Sequence, residues 1–412
     1  MIDRLSTIPL VDELGAMVES RWRAANYDEH RFAELCTNAL REFSMPDRIS
    51  PWEMTDWALR QVRLPTQQDL PGRFGDPPIT LWASNRFHID VYFWMNGTTS
   101  IHQHAFAGAF QVLLGGSVHS EYSFQPSIAI NRSMEVGDLS LKSVELLQVS
   151  DTRPILHGRR FIHSLFHMEN PSATLVIRTF HAMLEPPQFD YKKPFLATDP
   201  FFAEPGLTKQ LQIIGLLYRA RRANVDDQVA EMLSNADFQS TFAILSSVRQ
   251  LLRPNAAAQQ FGLDEGAERM AGFYDIARRK HGEVADRIPP VFAHADTVSE
   301  LTGLRSLIAD PEHRFFLALL LNVEERTHVL RLIQDRYPAV DPIDKVLDWI
   351  TDLGFSRVGI GTKANVLGID EFSDADVALL EGMLREDGPP TSGTSERVTA
   401  LRSSPIISRL LG

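Results

Sequence analysis

The chain has 412 residues, 44% of them hydrophobic and 23% charged, which suits a sizeable core with two domains and excludes disorder for most of it. Its formal net charge of −12 offers no concentrated Lys/Arg surface, so nucleic acid is not an expected partner. Cys36 is the single cysteine, which leaves no intrachain disulfide, cysteine zinc site or dithiol pair and fits a reducing, cytoplasmic setting. The opening residues, Met1 to Thr7, lack the blocks of a signal peptide, and no apolar run reaches the ~18 residues of a membrane span, so no membrane partner is expected.

Residues 1–75 read as a helical segment: Val11, Leu14, Met17, Val18 and Trp22 recur at helical spacing, followed by Phe32, Leu35, Leu40 and Phe43. From about residue 76 to 190 the texture changes to short runs of β-branched and aromatic residues. Asn96-Gly97, Gly115-Gly116, Gly137-Asp138 and Asn170-Pro171 break them, which predicts closely spaced strands in a barrel or sandwich. A proline-containing connector, Leu184 to Pro205, leads into a helical domain over residues 191–412. Helical spacing there is clear in Leu207–Arg222, Phe238–Leu252, Phe315–Tyr337 and Ile343–Leu353. Its apolar stretches suit a bundle core or an interface between copies of the chain, and the stretch from Glu386 to Glu396 reads as a loop.

Eight of the thirteen histidines fall between His88 and His181. Two of them form the step Ile101-His102-Gln103-His104. Side chains two apart on a strand point the same way, so both imidazoles can meet one ion. A third donor must come from a later strand, where His157, His163, His167 and His181 are the candidates. His163 and His167 are four apart, so both face the same side of a regular strand and parity cannot separate them. His88 and His119 read as surface or strand-edge residues.

The run Trp94-Met-Asn-Gly97-Thr-Thr-Ser100-Ile101-His102-Gln-His104, followed by Phe110-Gln-Val-Leu-Leu-Gly-Gly116, resembles the cupins, and within them the thiol dioxygenases of the cysteine dioxygenase type. Glu169-Asn170 is similar to that family's Glu-Asn pair, and His181 lies where the family carries a histidine close to its metal site. The motifs cover about 100 of the 412 residues, the second half with a three-residue insertion. The resemblance implies an α+β protein with a cupin (jelly-roll type) β-barrel, flanked by the N-terminal helical segment and the C-terminal all-helical domain. It also implies a mononuclear iron(II) site with dioxygen as co-substrate. The general cupin ligand pattern favours His163 as third ligand, with His167 and His157 as alternates.

The chain departs from that family at several positions. Where many cupins add a glutamate ligand it has Gly108 and Ala109, so a neutral three-histidine site is expected. Where the family cross-links a cysteine to a tyrosine it has Ala109 and Met183, so cysteine is not the expected substrate. His181 and Gln111 are the candidate catalytic residues, the latter if the pleat turns it into the cavity. Arg86, Arg178 and Tyr92 are candidates for substrate binding, although a salt bridge to Glu169 or another acid would also explain Arg178. The expected function is a non-haem iron oxygenase or dioxygenase acting on a small anionic or thiol-containing metabolite. The rival readings are a zinc, manganese or nickel cupin isomerase, lyase or hydrolase, and a non-enzymatic ligand-binding protein.

Overall fold

A computed structural model describes residues 8–70, 74–95, 99–180, 188–253, 265–304, 307–308, 310–323, 325–356, 365–385, 395–404 and 406–411. The first three helices are α1 (Pro9–Ala24), α2 (Glu29–Phe43) and α3 (Pro51–Arg60). Each start is set locally. Pro9 opens α1 at a position where its missing N–H costs nothing, and the Asp28 carboxylate accepts from His30 N at the start of α2. Ser50 and Glu53 form a reciprocal capping box on α3.

The strands are β1 (Pro78–Ala83), β2 (Phe87–Trp94), β3 (Ile101–Gln103), β4 (Gly108–Leu114), β5 (Ser117–Asn131), β6 (Met134–Leu147), β7 (Thr152–Ile155), β8 (Ile162–His167), β9 (Ser172–Thr179), β10 (Asp190–Lys192) and β11 (Leu196–Thr198). Five form a sheet in the order β1-β2-β9-β4-β7, and six close a barrel in the order β10-β11-β6-β5-β8-β3. This is the predicted α+β architecture, a closed barrel with a second sheet, preceded and followed by helices. β10 and β11 lie in the stretch read as a connector; strands of three residues are too short to show a period.

The pleat of the five-stranded sheet sorts its residues. Phe87, Ile89, Val91 and Phe93 of β2, with Ala109 and Leu113 of β4 and Leu175 and Ile177 of β9, pack with Leu14, Val18, Trp22, Phe32 and Leu40 of the helices in one core. Tyr92, Phe110, Val112 and Val176 face the other way and join Phe106, Phe161 and Leu165 in a second, smaller core. Covered on both faces, β2 is buried along nearly its whole length, His88 and Asp90 included.

Packing groups the chain into two compact units. Residues 1–123, 140–190 and 308–342 form the first, and residues 124–139, 191–307 and 343–412 the second. In the first unit the helix Pro311–Asn322 packs on β8, and Arg331 of the next helix, Arg326–Arg336, donates to the Val144 carbonyl of β6. The single helical run read over Phe315–Tyr337 is thus two helices, and Asn322 at the break turns its side-chain amide back onto the Ala318 carbonyl. The second unit has its own core, built from Val229, Leu233, Ile244, Leu245, Val248, Ile288 and their neighbours. Among the described residues no helix is long and apolar enough to cross a membrane.

Candidate metal site

β3 lies directly beside β8, with His102 paired to His163 across the ladder. His104 follows two residues on, and its carbonyl accepts from Gly158 N at 2.7 Å, which fixes the chain where it leaves β3. The three imidazoles are buried, and one nitrogen from each lies within 4.8 Å of the others. His104 Nε2 and His163 Nε2 are 2.9 Å apart, the spacing of two nitrogens that share one ion at bonds of about 2.0–2.1 Å.

The remaining ring nitrogens decide which lone pairs face inward. His102 Nδ1 donates to the Ser100 carbonyl at 2.7 Å, leaving Nε2 as a bare acceptor. His163 is set by a longer chain. The Glu145 carboxylate can only accept, so His119 Nδ1, 2.9 Å from Glu145 Oε1, carries a proton. His119 Nε2 is then an acceptor, and His163 Nδ1, 3.1 Å away, donates to it and leaves its own Nε2 free. Arg153 anchors the far end with two bonds to Glu145, 2.8 Å and 2.6 Å long. These bonds push the Glu145 carboxyl down to about 2, against the opposing effect of its partial burial.

Phe106, Phe110 and Phe161 surround the histidines, with Phe161 centred 4.3 Å from His163 and Phe106 4.6 Å from His104. Burial holds the imidazoles of His104 and His163 well below the usual histidine range, and their mutual proximity adds to it. His102 is lowered by burial too, with the Ser100 carbonyl and Asp190 pulling the other way. All three are neutral at pH 7, the form that binds metal.

A carboxylate cannot be supplied from positions 108 and 109. A Cβ on Gly108 would sit 1.9 Å from the Ile177 carbonyl oxygen, because β4 and β9 approach closely there. Ala109 points to the opposite face, into the core shared with the helices.

The other sequence candidates divide. His167 faces the same side of β8 as His163 but bonds the hydroxyls of Ser172 (2.8 Å) and Ser117 (3.1 Å) and stacks on Trp94. His157 is bonded to Arg160 and stands outside the cluster. Gln111 turns away from the cavity: its amide donates to the Leu40 carbonyl of α2 and to Thr152 Oγ1, because it shares the pleat face of Ala109. Arg86 is exposed, its guanidinium 3.9 Å over the Tyr27 ring. His181 and Met183 lie outside the described residues, as do Asn96, Gly97 and residues 386–394.

Arg178 and Tyr92 face the inner side of the sheet. The Arg178 guanidinium lies 4.2 Å over Phe106, whose other neighbour is His104, and its positive charge contributes to the lowering of His104. Glu169 is not its partner; that carboxylate accepts from Gly116 N at the β4–β5 turn, where Gly115 has φ 73°. Instead Arg178 Nε lies 3.0 Å from His88 Nε2, and the same nitrogen is 3.1 Å from Asp90 Oδ2. One ring nitrogen between a donor and an acceptor serves one of them at a time. Tyr92 donates to the same Asp90 oxygen at 3.2 Å. Burial alone would raise Asp90, but the hydrogen bond from His88 and the charges of His88 and Arg178 hold it below its usual range.

Two residues read as peripheral are thus internal: His88 and His119 are fully buried on inward faces. Their alternation with apolar residues, Phe87-His88-Ile89 and Val118-His119, reads as a strand with one solvated face, and only the coverage of both faces places these histidines inside.

No family model matches the chain, and no curated protein matches it. Solved structures do. A cupin-2 domain containing protein from Shewanella frigidimarina, 14% identical with TM-score 0.20, covers 31% of this chain and 92% of its own. An oxalate oxidase in complex with the substrate analogue glycolate, 16% identical with TM-score 0.19, covers 31% and 56%. A structure of DMSP lyases, 15% identical with TM-score 0.17, covers 24% of this chain, which spans only 40% of that one. The functional reading rests on the geometry of the site itself.

Proposed function

We propose that the chain is a mononuclear metal-dependent enzyme of the cupin type, an iron(II) oxygenase or dioxygenase acting with dioxygen on a small anionic or thiol-bearing metabolite. One observation carries it: three buried, neutral imidazoles converge with their far nitrogens held or enclosed, and among the described residues the cluster is made of imidazoles alone. That donor set fits a divalent first-row ion, and an ion bound by three neutral ligands keeps its full charge, has open positions, and as iron(II) supplies redox chemistry with dioxygen.

The chain's own residues do the remaining work. Ser100 and His119 fix the ring orientations of His102 and His163, so the donors need no rearrangement to bind. Phe106, Phe110 and Phe161 keep bulk water from the donors and strengthen every charge interaction beside them. Arg178 holds the anionic end of the substrate. Among the described residues its Nη groups have no acceptor, and its Nε bond to His88 is exchangeable for the His88–Asp90 contact. Tyr92, pushed up by burial and by Asp90, stays protonated and serves as a hydrogen-bond donor.

The test is turnover of anionic and thiol metabolites by iron-loaded protein, with dioxygen uptake recorded beside product. Activity that needs dioxygen and is lost in His102→Ala and His163→Ala supports the reading. Metal-dependent activity that survives strict anaerobiosis replaces it with Lewis-acid chemistry in an isomerase, lyase or hydrolase, and a protein without metal affinity leaves only ligand binding.

A further inference from the structure

We infer that His119 and Glu145 act on the metal through His163, as a remote carboxylate behind a cluster that among the described residues is made of imidazoles alone. The inference rests on the metal reading above. Its basis is the unbroken line from Arg153 through Glu145 Oε1, His119 Nδ1, His119 Nε2 and His163 Nδ1 to the face where the donors converge. With neutral rings every hydrogen bond in the line runs one way, because the terminal carboxylate only accepts.

Geometry shows why these residues and no others fill the line. On the β5–β8 ladder Glu121 is opposite His163 and His119 is opposite Leu165, so His119 is the diagonal neighbour of His163 on the same face. A residue directly opposite would need a short side chain to reach the ring edge-on; an imidazole on the diagonal reaches it at 3.1 Å. His119 is fully buried, whereas the Glu145 side chain is 39% exposed, so the formal charge stays near solvent while its effect is passed inward through a buried ring. Arg153 keeps that carboxylate ionised and in place.

A hydrogen bond from Nδ1–H to a polarised acceptor raises the basicity of the opposite nitrogen and fixes the ring plane. His102 Nδ1 is hydrogen-bonded to a neutral carbonyl, and among the described residues His104 Nδ1 has no hydrogen-bond partner, so His163 is the one of the three with a charged group at the end of its hydrogen-bond line. His119 and Glu145 are positioning residues: neither reaches the convergent face.

The test uses full-length protein and cobalt(II) alone, by competition with a chromophoric chelator and by the visible ligand-field spectrum of the bound ion. Glu145→Gln keeps the shape of the chain and removes its charge; His119→Gln removes the ring. We expect affinity to fall about 10-fold in Glu145→Gln and 10–100-fold in His119→Gln, with shifted ligand-field bands in both. Thermal midpoints of the metal-free proteins should remain close to that of the parent, and Glu145→Asp should recover part of the affinity. Parent-like affinity and spectrum in both variants would overturn the inference and leave the metal reading standing. Weakened binding with unchanged bands and a matching loss of metal-free stability would reduce the chain to scaffolding, which also overturns it. A parent that takes up no cobalt overturns the metal reading itself.

Discussion

His163 and His167 stand on one strand, on one face, four residues apart, and the two ends of that strand are different chemical places. Opposite His163 lie His102 of β3 and, on the diagonal, His119 of β5. Opposite His167 lies Ser117, with Ser172 and the stacked ring of Trp94 around it. On the proposed metal reading, cross-strand neighbours decide which histidine is a donor. Where those neighbours are imidazoles, ring nitrogens converge; where they are hydroxyls and an indole, the ring is held as a core residue.

The largest expected effect separates the two ends. His163→Ala should weaken binding of a divalent first-row ion by more than about 100-fold, since it removes a donor and the anchor of the chain behind it. His167→Ala should stay within about 2-fold of the parent. Equal losses in chelator competition would erase the distinction.

Proton competition should expose the same asymmetry without metal. The pKa values of His102, His104 and His163 are depressed in the folded chain, whereas in the unfolded chain histidine titrates near 6.5. As pH falls below about 6.5 the unfolded state takes up these protons first, so stability drops. Each histidine contributes up to about 1.4 kcal/mol per pH unit, about 4 kcal/mol per unit for three. Urea midpoints of metal-free protein from pH 7 to 5 should show this fall, with a shallower slope in His163→Ala. A midpoint flat across that range would contradict the buried, neutral assignment.

Smaller effects are expected where a side chain bonds without reaching the site. His167→Ala loses contacts to two hydroxyls and a stacked ring, and should cost about 1–3 kcal/mol of stability with metal binding intact. Gln111→Leu, on the helix-facing side of β4, should cost about 1–2 kcal/mol and leave metal binding unchanged, because its bonds run to Leu40 and Thr152. Metal loss in Gln111→Leu would mean that the pleat is turned the other way.

Much of this was legible in the sequence. The His102–His104 step, the β-rich texture around it and the flanking helical spacing predict the barrel and two donors. Gly108 and Ala109 predict that no carboxylate comes from these positions, and the structure adds a reason at each: a backbone contact at Gly108 and the opposite face at Ala109. The choice of His163 over His167 was open, because alternation gives a face and only the ladder register gives a neighbour. His119 and His88 were misplaced for a related reason: a polar residue in a strand looks like an outward one unless both faces of the sheet are known to be covered. Arg86 and Gln111 were drawn toward the site by their positions in the sequence, which carry no information about which face they occupy.

The most direct measurement is anomalous diffraction from crystals of the full-length protein loaded with iron(II) or cobalt(II). The account predicts one strong peak bounded by the Nε2 atoms of His102, His104 and His163, absent in His163→Ala crystals and retained in His167→Ala. A peak at His167, or none at the three histidines at saturating metal, would contradict it.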